Sequence, residues 1–249
     1  MKRNSTNTSK EWDRIAEKHI ESYSNLYPRY GGKIEQILEK YEVKPRRILE
    51  VAAFSAKDSR YLASEFPDCE FYTVDFSQEA IDRAKKVNAE AGLKNFYTLR
   101  ANAFTLPFKD RSFDISFHAD FYIYFQNNDI LRLFKEQKRV TRNLMVIFVH
   151  SKYNAYRLLF WYLAKVKKDP WYEIRAYSLK ELKNIFDDEE IVASGGVDGY
   201  VLNLVNTVGK TFIGRPICPK LFRDKINKIE FLRRPLLGEI IYLVIKVGN

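Results

Sequence analysis

Between Gly32 and Gly92 the chain contains no glycine. That interval holds Arg47-Ile48-Leu49-Glu50-Val51-Ala52-Ala53-Phe54-Ser55-Ala56, an apolar strand ending in a carboxylate and followed by a tight turn. A Gly-x-Gly-x-x-Gly fingerprint is absent, which argues against a nicotinamide enzyme. Cysteine is scarce as well. Cys69 and Cys218 lie far apart and match no metal spacing, so a disulfide framework is not expected and a reducing compartment, the cytoplasm, is. The three histidines, His19, His118 and His150, fall on separate elements without ligand spacing, and no metal centre is expected from them. Long apolar runs are missing too: Leu158 to Ala164 is far short of the roughly 20 residues that a membrane span requires, and Met1 to Lys10 is polar throughout. A chain that is neither exported nor membrane-spanning is expected.

What is present is enough to build a large core. The 249 residues are 46% hydrophobic and 15% aromatic, which suits one α/β domain spanning 1–249. Trp12, Ile15, Ala16, His19 and Ile20 recur at three and four, the mark of a helix from Ser9 to about Tyr23, and a second helix is expected over Gly32 to Tyr41. Strands are expected at Ile48 to Ala53, Glu70 to Asp75, Phe96 to Arg100, Phe113 to His118 and Leu144 to His150. Between them fall helices at Lys57 to Glu65, at Gln78 to Ala91 behind the cap Ser77, and at Asn128 to Val140. This alternation predicts a doubly wound, mostly parallel sheet. Eight aromatic residues crowd between Tyr153 and Tyr177, read as a helical insert after the fifth strand. Ser178 and Glu181 then open a helix as a capping box, Ile191 to Gly195 and Glu239 to Val247 read as strands, and Arg215 to Arg234 as a basic helical segment.

In an open parallel sheet, ligands sit beyond the carboxyl ends of the strands. Glu50 and Asp75 end the first two strands. An acid at position 75 suits the two ribose hydroxyls of an adenosine, or it caps the next helix, a task for which Ser77 is already available. Phe76 either lies against an adenine ring or belongs to the core.

Three blocks carry a resemblance: Ile48-Leu49-Glu50; Thr73-Val74-Asp75-Phe76-Ser77-Gln78-Glu79-Ala80; and Ala101-Asn102-Ala103-Phe104-Thr105-Leu106-Pro107-Phe108 leading into Ser112-Phe113-Asp114. In this order, over about residues 10–150, they resemble the class I S-adenosylmethionine-dependent methyltransferases, particularly those acting on small molecules. The resemblance implies a seven-stranded Rossmann-like sheet with a reversed last strand and S-adenosyl-L-methionine as cofactor. By position it puts Glu50 near the methionine amino group, Asp75 on the ribose, Asn102 and Ala103 at the adenine edge, and His118 beside the reactive methyl. Along the chain the expected division is an N-terminal helical lid (1–45), a cofactor-binding core (46–150), an aromatic insert (151–190) and C-terminal strands with the basic segment (191–249).

Two departures stand out. Asn102 occupies a position where the family usually has Asp, and an amide oxygen still accepts a hydrogen bond. Ala52, Phe54 and Ala56 occupy the positions of the family's glycines, where positive φ and close backbone approach are wanted. Forcing alanine into the left-handed region costs on the order of 1–2 kcal/mol, so a catalytically silent relative that serves as a binding or partner protein stands as an alternative. For the acceptor, His118 with Asp120, or His150, is placed to act as a base, against the plainer reading of structural histidines. The Asn/Asp-Pro-Pro-Tyr signature of enzymes that methylate adenine or glutamine nitrogen is absent, with Ala119-Asp120-Phe121-Tyr122 in its place. A small-molecule or lipid-like, partly apolar acceptor is therefore expected, with the aromatic insert and Trp12 either lining its pocket or simply covering the sheet. Of the formal charge of +10, nine Lys or Arg against three acids fall between positions 200 and 249. That bias is either a solvated face or an attraction for phosphate, which keeps an RNA methyltransferase in view as the less favoured reading.

Overall fold

A computed structural model describes residues 9–24, 28–153, 161–162, 165–166, 168, 174–197 and 240–248. The basic segment at 215–234 and most of the aromatic insert lie outside the described residues. The elements run α1 (Ser9–Ser24), α2 (Arg29–Lys40), β1 (Arg47–Val51), α3 (Lys57–Glu65), β2 (Glu70–Asp75), α4 (Gln78–Glu90), β3 (Phe96–Arg100), β4 (Phe113–Ala119), a single 3₁₀ turn (Tyr122–Tyr124), α5 (Asn127–Val140), β5 (Thr141–His150), α6 (Leu179–Ile185), β6 (Ile191–Gly196) and β7 (Ile240–Lys246). The strands form one seven-stranded sheet in the order β3-β2-β1-β4-β5-β7-β6. Strands β1 to β5 are parallel, and β7 runs antiparallel between β5 and β6. The order reverses between β1 and β4, which opens a crevice beyond their carboxyl ends.

The sheet is apolar on both faces because helices cover both. Along β5, Val146 and Phe148 join the core under α2 and α3, while Met145, Ile147 and Val149 face the core under α5 and α6. Two-residue alternation thus divides one continuous apolar run between two cores. Asp75 and Glu50 arrive at the crevice because β1 and β2 pair in register, Glu50 opposite Thr73 and Val51 opposite Val74.

Two boundaries differ by three residues from the sequence-based expectation. α2 starts at Arg29 rather than Gly32, because Asp58 Oδ1 on α3 accepts from the backbone N of both Tyr30 and Gly31 at 3.0 Å. Pro28, at the N-cap, offers no side-chain cap of its own. Close approach also requires the glycine: a Cβ on Gly31 would sit 2.8 Å from the Asp58 carbonyl oxygen. β5 starts at Thr141 rather than Leu144, since the polar start of this strand is satisfied by partners far along the chain. Thr141 Oγ1 lies 2.6 Å from Ser116 Oγ, and Arg142 pairs with Asp114 at 2.9 Å.

Candidate active site

The turn after β1 takes the conformation that glycines normally provide, without any. Ala52, Phe54 and Ala56 have φ of 54°, 49° and 50°. The strained turn is held on several sides: Ala53 N donates to Val74 O at 3.0 Å, Ala56 N to Ala53 O at 2.7 Å, and Phe54 N to Asp75 Oδ2 at 2.8 Å. Asp75 Oδ1 accepts from Ser77 N at 2.9 Å, and Ser77 Oγ caps α4 by accepting from Ala80 N at 3.2 Å. Side-chain capping of α4 therefore falls to Ser77, not to Asp75. Burial pushes the Asp75 carboxyl upward, against the pull of the backbone N–H groups of Ser77, Phe54 and Phe76. Beyond these N–H groups the carboxylate keeps acceptor capacity for a hydroxyl.

Glu50 is buried behind this turn and accepts from Ser59 N at 3.2 Å. Burial first, then the charge of Asp58, pushes it up to about 8. Asp58 in turn forms a buried ion pair with Lys57, whose ammonium lies 5.1 Å from the centre of the Tyr30 ring. On the third strand's side, Asn102 is exposed and its Oδ1 accepts from Phe104 N at 3.0 Å, so the side chain folds back on its own loop. Phe76 and Ala103 are half-buried at the same rim.

The acceptor side is assembled from four elements. Asp120, at φ 54°, follows β4, and its backbone N donates to Phe148 O at 3.0 Å. Tyr30 on α2 donates its phenol proton to Asp120 Oδ2, and His150 Nε2 at the end of β5 lies 3.7 Å from Asp120 Oδ1. The Tyr124 ring of the 3₁₀ turn meets Trp12 of α1 edge-on, with centroids 5.3 Å apart. His118 takes no part. It lies inside β4, fully buried, with Nδ1 on Gln137 Oε1 at 3.0 Å and the Tyr122 ring 3.8 Å away. Burial pushes it down to about 3, so it stays neutral.

Residues 48–143 match the family model of a methyltransferase domain. This segment contains β1 through β4 and with them Glu50, Asp75 and Asp120. Over these residues the chain is similar to a methyltransferase domain. Release factor glutamine methyltransferases of Escherichia coli (strain K12) and Shigella flexneri are 32% identical to it over 86 residues, 34% of this chain, and the match spans 31% of their own length. Among solved structures, a SAM-dependent methyltransferase from Aquifex aeolicus is 17% identical, with a TM-score of 0.55 and coverage of 90% of this chain and 100% of that one. A methyltransferase solved in complex with its activator from Haloferax volcanii is 14% identical, with a TM-score of 0.65 and 98% of both chains covered. At such identities these structures share the fold, and a [4+2]-cyclase, SpnF, shares it too at a TM-score of 0.57, 15% identity and 88% and 81% coverage.

Three features of the turn after β1 are chemically compatible with an adenosyl group. Its backbone traces the left-handed steps of a glycine turn, the Asp75 carboxylate sits at its rim with acceptor positions to spare, and Ser55 Oγ is buried in it without a hydrogen-bond partner among the described residues. Of the residues singled out from sequence, Phe54 and Asp75 meet at the turn that Ala52 opens, with Glu50 buried behind it and Phe76 next to Asp75 in the chain, and His150 lies 3.7 Å from Asp120. His118, expected at both the cofactor and the acceptor, is withdrawn from the crevice by its burial. Tyr30, Lys57 and Asp58 were missed; the one signal for them was the charged pair immediately after the turn, whose partner helix is fixed only by the fold. Among the described residues no group of His, Cys, Asp and Glu is arranged to hold a metal ion, and no helix is long and apolar enough to cross a membrane. A cavity of about 650 Å³ lies at the opposite end of β5 and β7, between Phe134, Lys138, Thr141, Phe186 and Val247, away from the crevice.

Proposed function

We propose that this domain binds S-adenosyl-L-methionine at the β1–β2 rim and transfers its methyl group to a small, partly apolar acceptor. The reading is carried by one observation: three non-glycine residues hold left-handed backbone in the turn that cradles the cofactor in this family, and the middle one donates to the strand-end acid. When bound, the cofactor supplies an electrophilic methyl on sulfonium sulfur. Asp75 then accepts from the ribose hydroxyls, Phe76 and Ala103 flank the adenine with Asn102 at its edge, and Glu50 faces the methionine ammonium. The backbone around Ala52 and Phe54 fixes the cofactor, so that proximity and alignment supply most of the acceleration. Asp120 with His150 takes the acceptor's proton, Tyr30 holding the carboxylate in place. Trp12 and Tyr124 give the acceptor side its apolar wall. Glutamine methylation is not carried over from the curated relatives, because Ala119-Asp120-Phe121-Tyr122 replaces the amide-binding signature. Calorimetry with S-adenosylmethionine and S-adenosylhomocysteine tests the reading; no heat and no thermal shift at millimolar ligand overturn it.

A specific observation favours a second reading. The methyl groups of Ala52 and Ala56 stand where the family has hydrogen atoms, as they would in a silent, binding-only relative. If the wild type is silent and Ala52→Gly with Ala56→Gly restores nucleoside affinity, that reading replaces the first.

A further inference from the structure

The first helix fastens both groups that hold Asp75. Asp13 Oδ1 on α1 accepts from Ser77 Oγ at 2.8 Å and from Gln78 N at 2.7 Å, so α4 is capped a second time by a carboxylate from a distant helix. Ala16 and Ile20, farther along α1, are buried against Ala80, with the Phe54 ring packed on them. Ser77 and Phe54 are the residues whose backbone N–H groups hold the two oxygens of Asp75. Arg83 of α4 and Glu21 of α1 add an ion pair at 2.7 Å.

We infer that Asp13 is a positioning residue for the cofactor: by fixing Ser77 and the first turn of α4 it sets the Asp75 carboxylate, so that docking of α1 and binding of the nucleoside strengthen each other. The inference rests on Asp75 as the ribose acid. A cap that served α4 alone would stabilise the fold without altering affinity, whereas coupling works in both directions. Cofactor binding must then tighten α1, and loosening α1 must weaken the cofactor.

Calorimetry of the full chain with S-adenosylhomocysteine decides between them. Asp13→Ala weakens the affinity about ten-fold. Asp13→Asn keeps an acceptor oxygen of equal capping strength and stays within about two-fold of wild type. Ser178→Ala, which removes a cap from α6 on the opposite face of the sheet, lowers the melting temperature and leaves affinity unchanged. Equal affinity in Asp13→Ala and wild type overturns the inference while the adenosine site stands; no binding by wild type overturns both. If Asp13→Ala does not fold, hydrogen exchange on the wild type gives the answer. The ligand is expected to slow exchange in α1 together with the Gln78 and Glu79 amides, and an α1 whose exchange does not change overturns the coupling.

Discussion

Two aspartates stand at the two ends of the crevice and are held in different ways. Asp75 is held by backbone N–H groups of residues within 21 positions of it, Phe54 and Ser77. Asp120 is held by a side chain, the Tyr30 phenol 90 positions earlier, with the His150 imidazole at the end of β5 3.7 Å from its other oxygen. Backbone donors persist under substitution and keep one geometry, as a cofactor common to a family demands. Side-chain donors change with one residue, as suits an acceptor end that differs between relatives.

The comparison breaks most sharply with Asp75→Ala. The substitution removes the ribose acceptor and leaves two N–H groups of the turn unpaired, so affinity for S-adenosylhomocysteine falls about a hundred-fold, or about 3 kcal/mol. Asp120→Ala leaves that affinity within about two-fold. Calorimetry on both variants reads the difference, and equal losses would mean that the two ends are not separable.

pH sharpens the same division, because the proposed function gives Glu50 to the cofactor end. Its carboxyl is raised to about 8 in the folded chain from an ordinary value of 4.5, so at neutral pH the native state holds a proton that the unfolded state has lost. Stability therefore falls as pH rises from about 4.5 to about 8, and levels off above. Binding a ligand ammonium favours the ionised form, so nucleoside affinity moves the opposite way, rising by up to about ten-fold per unit between pH 6 and 8. Glu50→Gln removes both slopes, read by calorimetry and by urea denaturation across that range. A wild type with flat affinity would place the ammonium elsewhere.

At the acceptor end, Tyr30→Phe deletes one hydroxyl and leaves the backbone contacts of Tyr30 with Asp58 intact. Losing a charge-assisted bond to a part-buried carboxylate costs about 1–3 kcal/mol of stability, measurable in urea. S-adenosylhomocysteine affinity is expected to stay unchanged, and a parallel loss would tie α2 to the cofactor end.

How much of this was legible in the sequence follows the same line. The parallel sheet, the Ser77 cap and the Ser178–Glu181 capping box rest on local patterns and the reversed last strand on the family resemblance, and the structure has them. Glu50 and Asp75 were legible as acids ending apolar strands. The start of α2 was not, because its cap comes from Asp58, nor was the polar start of β5, because Ser116 and Asp114 satisfy it across the sheet. His118 was misplaced for a related reason. A histidine near a strand end reads as a crevice residue until Gln137 on α5 is seen to hold it inward.

The smallest effect concerns the turn itself, where residues of one conformation should answer differently to glycine. Ala52→Gly and Ala56→Gly each relieve a left-handed strain on the order of 1–2 kcal/mol and lose part of that gain to the greater freedom of the unfolded chain. A net stabilisation of about 0.5–1 kcal/mol per site is expected in urea. Phe54→Gly relieves the same strain yet gives up the ring packed on Ala16, Ile20 and Ala80, and is expected to destabilise. If all three stabilised alike, Phe54 would be a passive occupant of its position, and α1 would keep its place without that ring.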